Sequence, residues 1–234
     1  MKIGIIGAME EEVRILRDRL ENRKEHTIAK SEFTTGEIDG QEVVLLKSGI
    51  GKVNAAIGTT LLNQLFEPDY IINTGSAGGF NPDLKVGDIV ISNEVRYHDV
   101  DATIFGYEYG QVPQMPALYE PERMLVEAAE RSAEKVTEHQ VVKGLIATGD
   151  SFMNDAVRVD YVRSRLKNLD AAEMEAGAIA QVCYQFNTPF VVIRSLSDIA
   201  GKESNVSFEQ FLETASINSA NLVLNLVEEL KNIG

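Results

Sequence analysis

Three acidic segments stand where the chain passes from one periodicity to another, and each offers a carboxylate that could move a proton. The first is Glu10-Glu11-Glu12, which follows the apolar run Ile3–Ile6. Met9, Val13, Leu16 and Leu20 recur at helical spacing and define an inward stripe. At about 100° per residue from Met9, the stripe spans roughly −20° to +40°, with Glu10 near ~100°, Glu11 near ~200° and Glu12 near ~−60°. Glu12 alone flanks the inward face, just past a strand's C-terminal end, where α/β sheets gather their ligands. The competing reading is that all three acids complement the dipole of a helix's first turn.

The second segment is Asp170-Ala171-Ala172-Glu173-Met174-Glu175. If it is extended, Glu173 and Glu175 share one face and Met174 takes the other. Glu175 is equally placed to be the N-terminal acid of the small-residue helix that follows. The third is Phe190-Val191-Val192-Ile193-Arg194-Ser195-Leu196-Ser197-Asp198, a fully apolar strand that ends in polar groups. Such groups at the end of a buried strand are costly unless paired or used. Asp198 is either one of them or a turn former.

The glycine-rich segments narrow the chemistry. Gly4-Ile5-Ile6-Gly7 is not a dinucleotide fingerprint, and Gly49-Ile50-Gly51-Lys52-Val53-Asn54 lacks the Lys-Ser/Thr pair of a triphosphate loop. Gly75 to Gly79 lets a ligand approach the backbone but has no adjacent Lys or Arg to pair a phosphate. It suits an uncharged ligand better. Cys183, inside an apolar helix, reads as core filler, and His98 receives no role.

The elements that must position these residues alternate between β and α. Ile3–Ile6, Val43–Leu46, Tyr70–Asn73, Ile89–Ile91, Gly144–Thr148 and Phe190–Ile193 read as strands, mostly buried. Helices are expected from Met9, over roughly 52–66 and 121–138, from Ala176 to Phe186 and from Phe208 to Leu230. Thr74 to Gly79 reads as a turn, and 96–118 is the longest stretch without a clear period. With no repeat or linker, residues 1–234 are expected to form a single α/β domain.

Composition excludes several classes. The 234 residues carry 22 basic and 36 acidic side chains, a net charge of −14. Such a chain repels nucleic-acid phosphates and anionic membrane surfaces, so neither is expected as a partner. A lone cysteine suits a reducing compartment, and His26, His98 and His139 lack the spacing of zinc ligands. The apolar N-terminal run is too short for a signal peptide, and no segment approaches the ~20 apolar residues of a membrane span. A cytoplasmic protein is expected.

Taken together, Gly4-Ile5-Ile6-Gly7-Ala8-Met9-Glu10-Glu11-Glu12, Ser48-Gly49-Ile50-Gly51-Lys52-Val53, Asn73-Thr74-Gly75-Ser76-Ala77-Gly78-Gly79, Glu173-Met174-Glu175 and Arg194-Ser195-Leu196-Ser197-Asp198 form a familiar set. The chain resembles the bacterial 5′-methylthioadenosine/S-adenosylhomocysteine nucleosidases, a family of the nucleoside phosphorylase-like superfamily, over its whole length. The resemblance implies a three-layer α/β/α sandwich whose central mixed, barrel-like β-sheet is flanked by helices. It implies hydrolysis of the N-glycosidic bond of methylthioadenosine, S-adenosylhomocysteine and 5′-deoxyadenosine, with no cofactor and no metal.

By the same resemblance Glu12 activates water, Asp198 protonates adenine N7 with Ser197 orienting it, and Glu175 holds the ribose hydroxyls with Met174 against the sugar. Phe152 stacks on adenine and the Met153 backbone reads its edge. Met9, Ile50, Ser76, Ala77 and Gly78 line the substrate pocket, as do Glu173, Arg194 and Phe208. Phe105, Tyr107 and Pro113 reach across a homodimer to cover the alkylthio tail. An acid and a base on opposite faces of an oxocarbenium-like sugar follow the logic of inverting glycoside hydrolysis.

Two rivals remain at this level. A purine nucleoside phosphorylase needs cations around its phosphate, and phosphorylases of this superfamily commonly place an Arg before the glycine-rich loop. This chain has Ile71-Ile72-Asn73 there. A non-catalytic nucleoside sensor would keep a stacking platform and lose the acid–base pair, yet Glu12 and Asp198 are both present.

Overall fold

The computed structural model describes residues 1–136, 138–201 and 204–231. The chain runs β1 (Lys2–Gly7), α1 (Glu10–Asp18), β2 (Glu21–Ile28), β3 (Ser31–Ile38), β4 (Gln41–Lys47), α2 (Lys52–Phe66), β5 (Tyr70–Gly79) and β6 (Ile89–Tyr97). A 3-10 turn (Thr103–Phe105) leads to α3 (Arg123–Ala133), β7 (Val141–Thr148), α4 (Ala156–Arg165), β8 (Leu169–Glu173), α5 (Ala176–Phe186), β9 (Phe190–Ile199) and α6 (Ser204–Lys231).

Among the described residues nine strands form one mixed sheet in the order β2-β3-β4-β1-β5-β8-β7-β6-β9, and β9 pairs again with β5. That second pairing closes β5, β8, β7, β6 and β9 into a barrel, from which β1, β4, β3 and β2 extend as an open wing. The apolar strand residues fill three cores, two of them on opposite sides of the sheet and a third around Leu145, Leu169 and Val159. Ile3, Ile5, Val43 and Leu45 pack with Val13 and Leu16 of α1, Leu125 of α3 and Leu222 and Leu226 of α6. Ile6, Val44 and Leu46 point the other way, toward Ala55 and Leu62 of α2 and Ala176, Ile179 and Cys183 of α5. Strand residues alternate between faces, so an unbroken apolar run marks a strand covered on both sides. The architecture is a three-layer α/β/α sandwich around a barrel-like sheet.

Several elements differ from the sequence expectations. Thr74 to Gly79 continues β5 instead of turning, because parallel pairing with β9 runs on through Gly79 opposite Ile199. Likewise Arg194 to Asp198 lies within β9. The hairpin β2–β3, α4 and β8 carry no legible period: β2 is the exposed edge sequence ENRKEHTI, and a strand with neither face buried leaves no apolar alternation to read. The expected helix over 121–138 is shorter, ending at Ala133. Among the described residues no helix is long and apolar enough to cross a membrane.

Candidate active site

Strand register brings the three acidic segments to one end of the sheet. Ile6 stands beside Asn73 in parallel pairing, so Glu12 on α1 faces the C-terminal half of β5. Thr148 of β7 is level with Glu173 of β8. Between β5 and β9 the register skips: Ala77 is opposite Leu196, but Gly78 is opposite Asp198. The bulge absorbs Ser197, and a bulge re-aims the side chains around it. Both Ser197 and Asp198 consequently border the cavity that opens there.

That cavity has a volume of about 210 Å³. Its walls include Met9, which caps α1, Glu12 within α1, Ile50 from the turn before α2, and Ser76, Ala77 and Gly78 from β5. Phe152, Glu173, Met174, Glu175, Ser197, Asp198 and Phe208 close it. Ala8 and Ala172 line it as well; small residues beside the motifs gave no signal of their own. Glu173, Met174 and Glu175 all face the cavity because β8 ends at Glu173 and the chain turns into α5. An extended chain would have sent Met174 to the opposite face.

A larger open depression of about 720 Å³ lies at Phe80, Asn81, Arg163 and Asp170. Its acid is already engaged: Asp170 accepts from Asn81 Nδ2 at 2.8 Å and from the Leu145 N–H at 3.0 Å. The smaller cavity is where the buried carboxyls converge.

Glu12 is buried at 4% exposure, whereas Glu10 is exposed and pairs with Arg17 at 2.8 Å and Lys47 at 3.2 Å. Glu12 Oε2 accepts the N–H groups of Ala8 at 2.8 Å and Met9 at 3.1 Å. Its Oε1 accepts the N–H of Ser76 at 2.9 Å and Ser76 Oγ at 3.2 Å. All four partners donate, which suits a group that only accepts. The helix-terminus reading and the cavity reading thus describe one side chain.

Asp198 accepts from Ser197 Oγ at 2.9 Å. Burial pushes its carboxyl up to about 6, against the lowering effect of that hydrogen bond. Glu175 is raised as well, first by burial and next by the charge of Glu173, with Arg194 pulling the other way. Its Oε1 accepts the Gly51 N–H at 2.8 Å. Buried polar groups in this state cluster at functional sites.

Arg194 does not border the cavity. It is 1% exposed and its Nη2 donates to Glu173 Oε2 at 2.6 Å and Asn73 Oδ1 at 2.7 Å. Asn73 in turn donates to the Ile6 carbonyl at 3.0 Å. Glu173 Oε2 also accepts the N–H groups of Glu175 at 3.0 Å and Ala176 at 2.8 Å, capping α5. Thr148 hydrogen-bonds Glu173 Oε1 and accepts the Gly177 N–H at 2.7 Å. This belt under the cavity was not legible in sequence, because Asn73 and Thr148 lie far from the acids they serve.

The Met153 side chain is buried behind the wall, in the core around Val159 and Val162. The Phe152 ring meets Phe208 edge-on at 5.6 Å between centroids. Phe105 is 79% exposed in its 3-10 turn, and neither it, Tyr107 nor Pro113 borders this chain's own cavity. Among the described residues no group of three His, Cys, Asp or Glu side chains is arranged to hold a metal ion.

The closed barrel with a carboxyl-lined cavity at one end places the chain in a known class: residues 2–228 match the model of the Phosphorylase superfamily. Within that class the similarity is specific. A 5′-methylthioadenosine/S-adenosylhomocysteine nucleosidase from Geobacillus sp. (strain WCH70) is 66% identical over 231 residues, which is 99% of this chain and 100% of that protein. The crystal structure of such a nucleosidase from Colwellia psychrerythraea 34H, in complex with adenine, superposes with a TM-score of 0.97 at 55% identity, covering 98% of this chain and 96% of that one. The enzyme from Neisseria meningitidis, in complex with methylthio-immucillin-A, gives a TM-score of 0.95 at 46% identity over 97% and 98% of the two chains. This chain belongs to the 5′-methylthioadenosine/S-adenosylhomocysteine nucleosidase family and is a glycosidic-bond hydrolase.

Proposed function

We propose that residues 1–234 act as one nucleosidase domain that hydrolyses methylthioadenosine, S-adenosylhomocysteine and 5′-deoxyadenosine to adenine and the corresponding ribose product. The observation that carries the reading is the pair of unlike carboxyls in one cavity: Glu12 surrounded by four donors and Asp198 with its carboxyl raised to about 6 by burial. A carboxyl whose neighbours all donate to it suits the base role, and one raised by burial suits the acid role.

In this mechanism the nucleoside's purine lies on Phe152, read at its edge by the Met153 backbone, and its ribose hydroxyls bond Glu175. Asp198, oriented by Ser197, gives its proton to adenine N7, so the N9–C1′ electron pair leaves with a neutral base. Water attacks C1′ from the opposite side and gives its proton to Glu12. Each proton transfer is typically worth ~10²–10⁴ in rate. Both carboxyls return to their starting states by exchange with solvent. Met9, Ile50, Ser76 to Gly78, Met174 and Phe208 shape the slot, while Arg194 and Glu173 hold Glu175 from below. Phe105, Tyr107 and Pro113 of a second copy cover the alkylthio tail in a homodimer. The enzyme would serve sulfur-nucleoside salvage in the cytoplasm.

Water, not phosphate, is the nucleophile in this reading. Among the described residues the cavity wall contributes no Lys or Arg, and the buried cation Arg194 is engaged by Glu173 and Asn73. Phosphorolysis needs cations around its anion. The test is adenine release from methylthioadenosine in phosphate-free buffer. Full activity is expected; absolute dependence on phosphate would overturn the reading.

A further inference from the structure

Outside the cavity, three segments distant in sequence meet at one point. Lys52 opens α2 and donates its backbone N–H to Asp150 Oδ1 at 2.8 Å. Its Nζ reaches Asp99 Oδ2 at 2.7 Å, and the same Asp99 oxygen accepts the Asp150 N–H at 3.0 Å. These bonds form a closed ring. Lys52 Nζ also stands 3.9 Å from Asp150 Oδ2 and 5.4 Å from the centre of the Tyr97 ring.

Two of the three segments, those of Lys52 and Asp150, lead to walls of the cavity. Gly51, next to Lys52, donates its N–H to Glu175 Oε1 at 2.8 Å, and Ile50 lines the cavity directly. Phe152 follows Asp150 by two residues. The approach is close: Gly51 has a φ of +93°, and a Cβ there would stand 3.1 Å from Asp150 Oδ1, so the turn suits glycine. The side chains of Lys52 and Asp99 are 24% and 27% exposed, which lifts the pair above the near-zero worth of a fully exposed one. Without Asp99, the Lys52 ammonium and the Asp150 N–H both lose their shared acceptor.

We propose that Asp99 is a positioning residue for the nucleoside slot: by gripping Lys52 and Asp150 together, it sets the spacing between the Gly51 N–H that holds Glu175 and the Phe152 platform. The proposal rests on the ribose role of Glu175 and the purine role of Phe152 stated above. Asp99 borders no part of the slot and acts through Gly51 and Phe152. A ribosyl-purine bound at both ends senses that spacing, since misplacement by about 1 Å costs up to ~10²-fold.

Two measurements test it. The first is hydrogen exchange of the intact protein, which needs no substrate. In Asp99→Ala, amides of residues 48–55 and 149–155 exchange faster together while the β1 and β9 amides keep their protection. The second is hydrolysis of methylthioadenosine. Asp99→Ala raises KM about tenfold while kcat changes less than about threefold, and Asp99→Asn, whose amide oxygen still accepts both N–H groups, recovers most of the loss. In a Glu175→Ala background the Asp99→Ala effect on KM shrinks, because the acceptor of the Gly51 N–H is already gone.

Faster exchange in only one of the two segments, or in neither, overturns the proposal, as does an Asp99→Ala effect on KM that adds fully to that of Glu175→Ala. Should Asp99→Ala fail to fold, Lys52→Met, which removes only the ammonium, is measured against the same outcomes. A wild-type protein that releases no adenine would refute the nucleosidase reading, and the exchange result would still decide the role of Asp99.

Discussion

The backbone N–H of Ser76 donates to Glu12 Oε1 across 2.9 Å, so a carboxylate carried on α1 is held in place by β5. The grip leaves no room beside it: a Cβ at Gly75 would stand 2.6 Å from the same oxygen. Gly75→Ala therefore displaces the carboxylate, and kcat for adenine release falls by about 10²-fold. Glu12→Gln loses ~10²–10⁴ in turnover while methylthioadenosine binding stays measurable by calorimetry. A wild-type rate in Glu12→Gln removes Glu12 from the mechanism.

Asp198 sets a pH dependence with a definite sign. Unfolded, its carboxyl titrates near its ordinary value of 3.8; folded, burial raises it to about 6. Between these values the unfolded chain binds fewer protons, so this group lowers stability as pH rises through the window. Asp198→Asn should raise Tm near about pH 8, with the gain vanishing toward pH ~3.5. The acid role makes kcat/KM of the wild type decline as pH climbs through about 6. A flat Tm difference across that range would contradict the buried, raised carboxyl.

Arg194 and Glu173 form an ion pair with side chains 2% and 3% exposed. Removing one partner strands a buried charge, so Arg194→Leu should cost ~3–5 kcal/mol in urea unfolding. Adding Glu173→Leu should restore only part of that, because Glu173 also caps α5 through the Glu175 and Ala176 N–H groups. A double variant as stable as the wild type would assign Glu173 to charge pairing alone.

Phe105 is 79% exposed next to Ile104 at 87%, an apolar pair that the proposed second copy would cover. Phe105→Ala should raise KM for methylthioadenosine about tenfold and leave inhibition by free adenine unchanged, since adenine lacks the tail. Equal KM values, or a monomer by light scattering, would end the proposed part of the partner in the site.

Much of the fold was legible because burial on both faces writes unbroken apolar runs: β1, β4 and the first half of β9 are visible from Ile3–Ile6, Val43–Leu46 and Phe190–Ile193 alone. The helical face Met9, Val13, Leu16 singled out Glu12 from its two acidic neighbours, and the structure has Glu12 buried and Glu10 in solvent. β2 stayed hidden because an exposed edge strand has no buried face to pattern, and β3 because its buried positions include the polar Ser31 and Thr34. The turn expected at Thr74 to Gly79 is strand, because pairing with β9 overrides the local freedom of its glycines.

The sequence by itself determined which residue types could do proton chemistry and that no cationic phosphate loop accompanies them, since both are matters of side-chain identity and local spacing. Tertiary structure decided how they are used. Closing the barrel through β5 and β9 brought residues some 186 positions apart, Glu12 and Asp198, to one cavity. The bulge at Ser197 turned Asp198 inward, and the Arg194 side chain went beneath the floor instead of into the pocket. Register, burial and the resulting loss of water around each carboxyl are properties of packing between distant segments, and no local pattern encodes them.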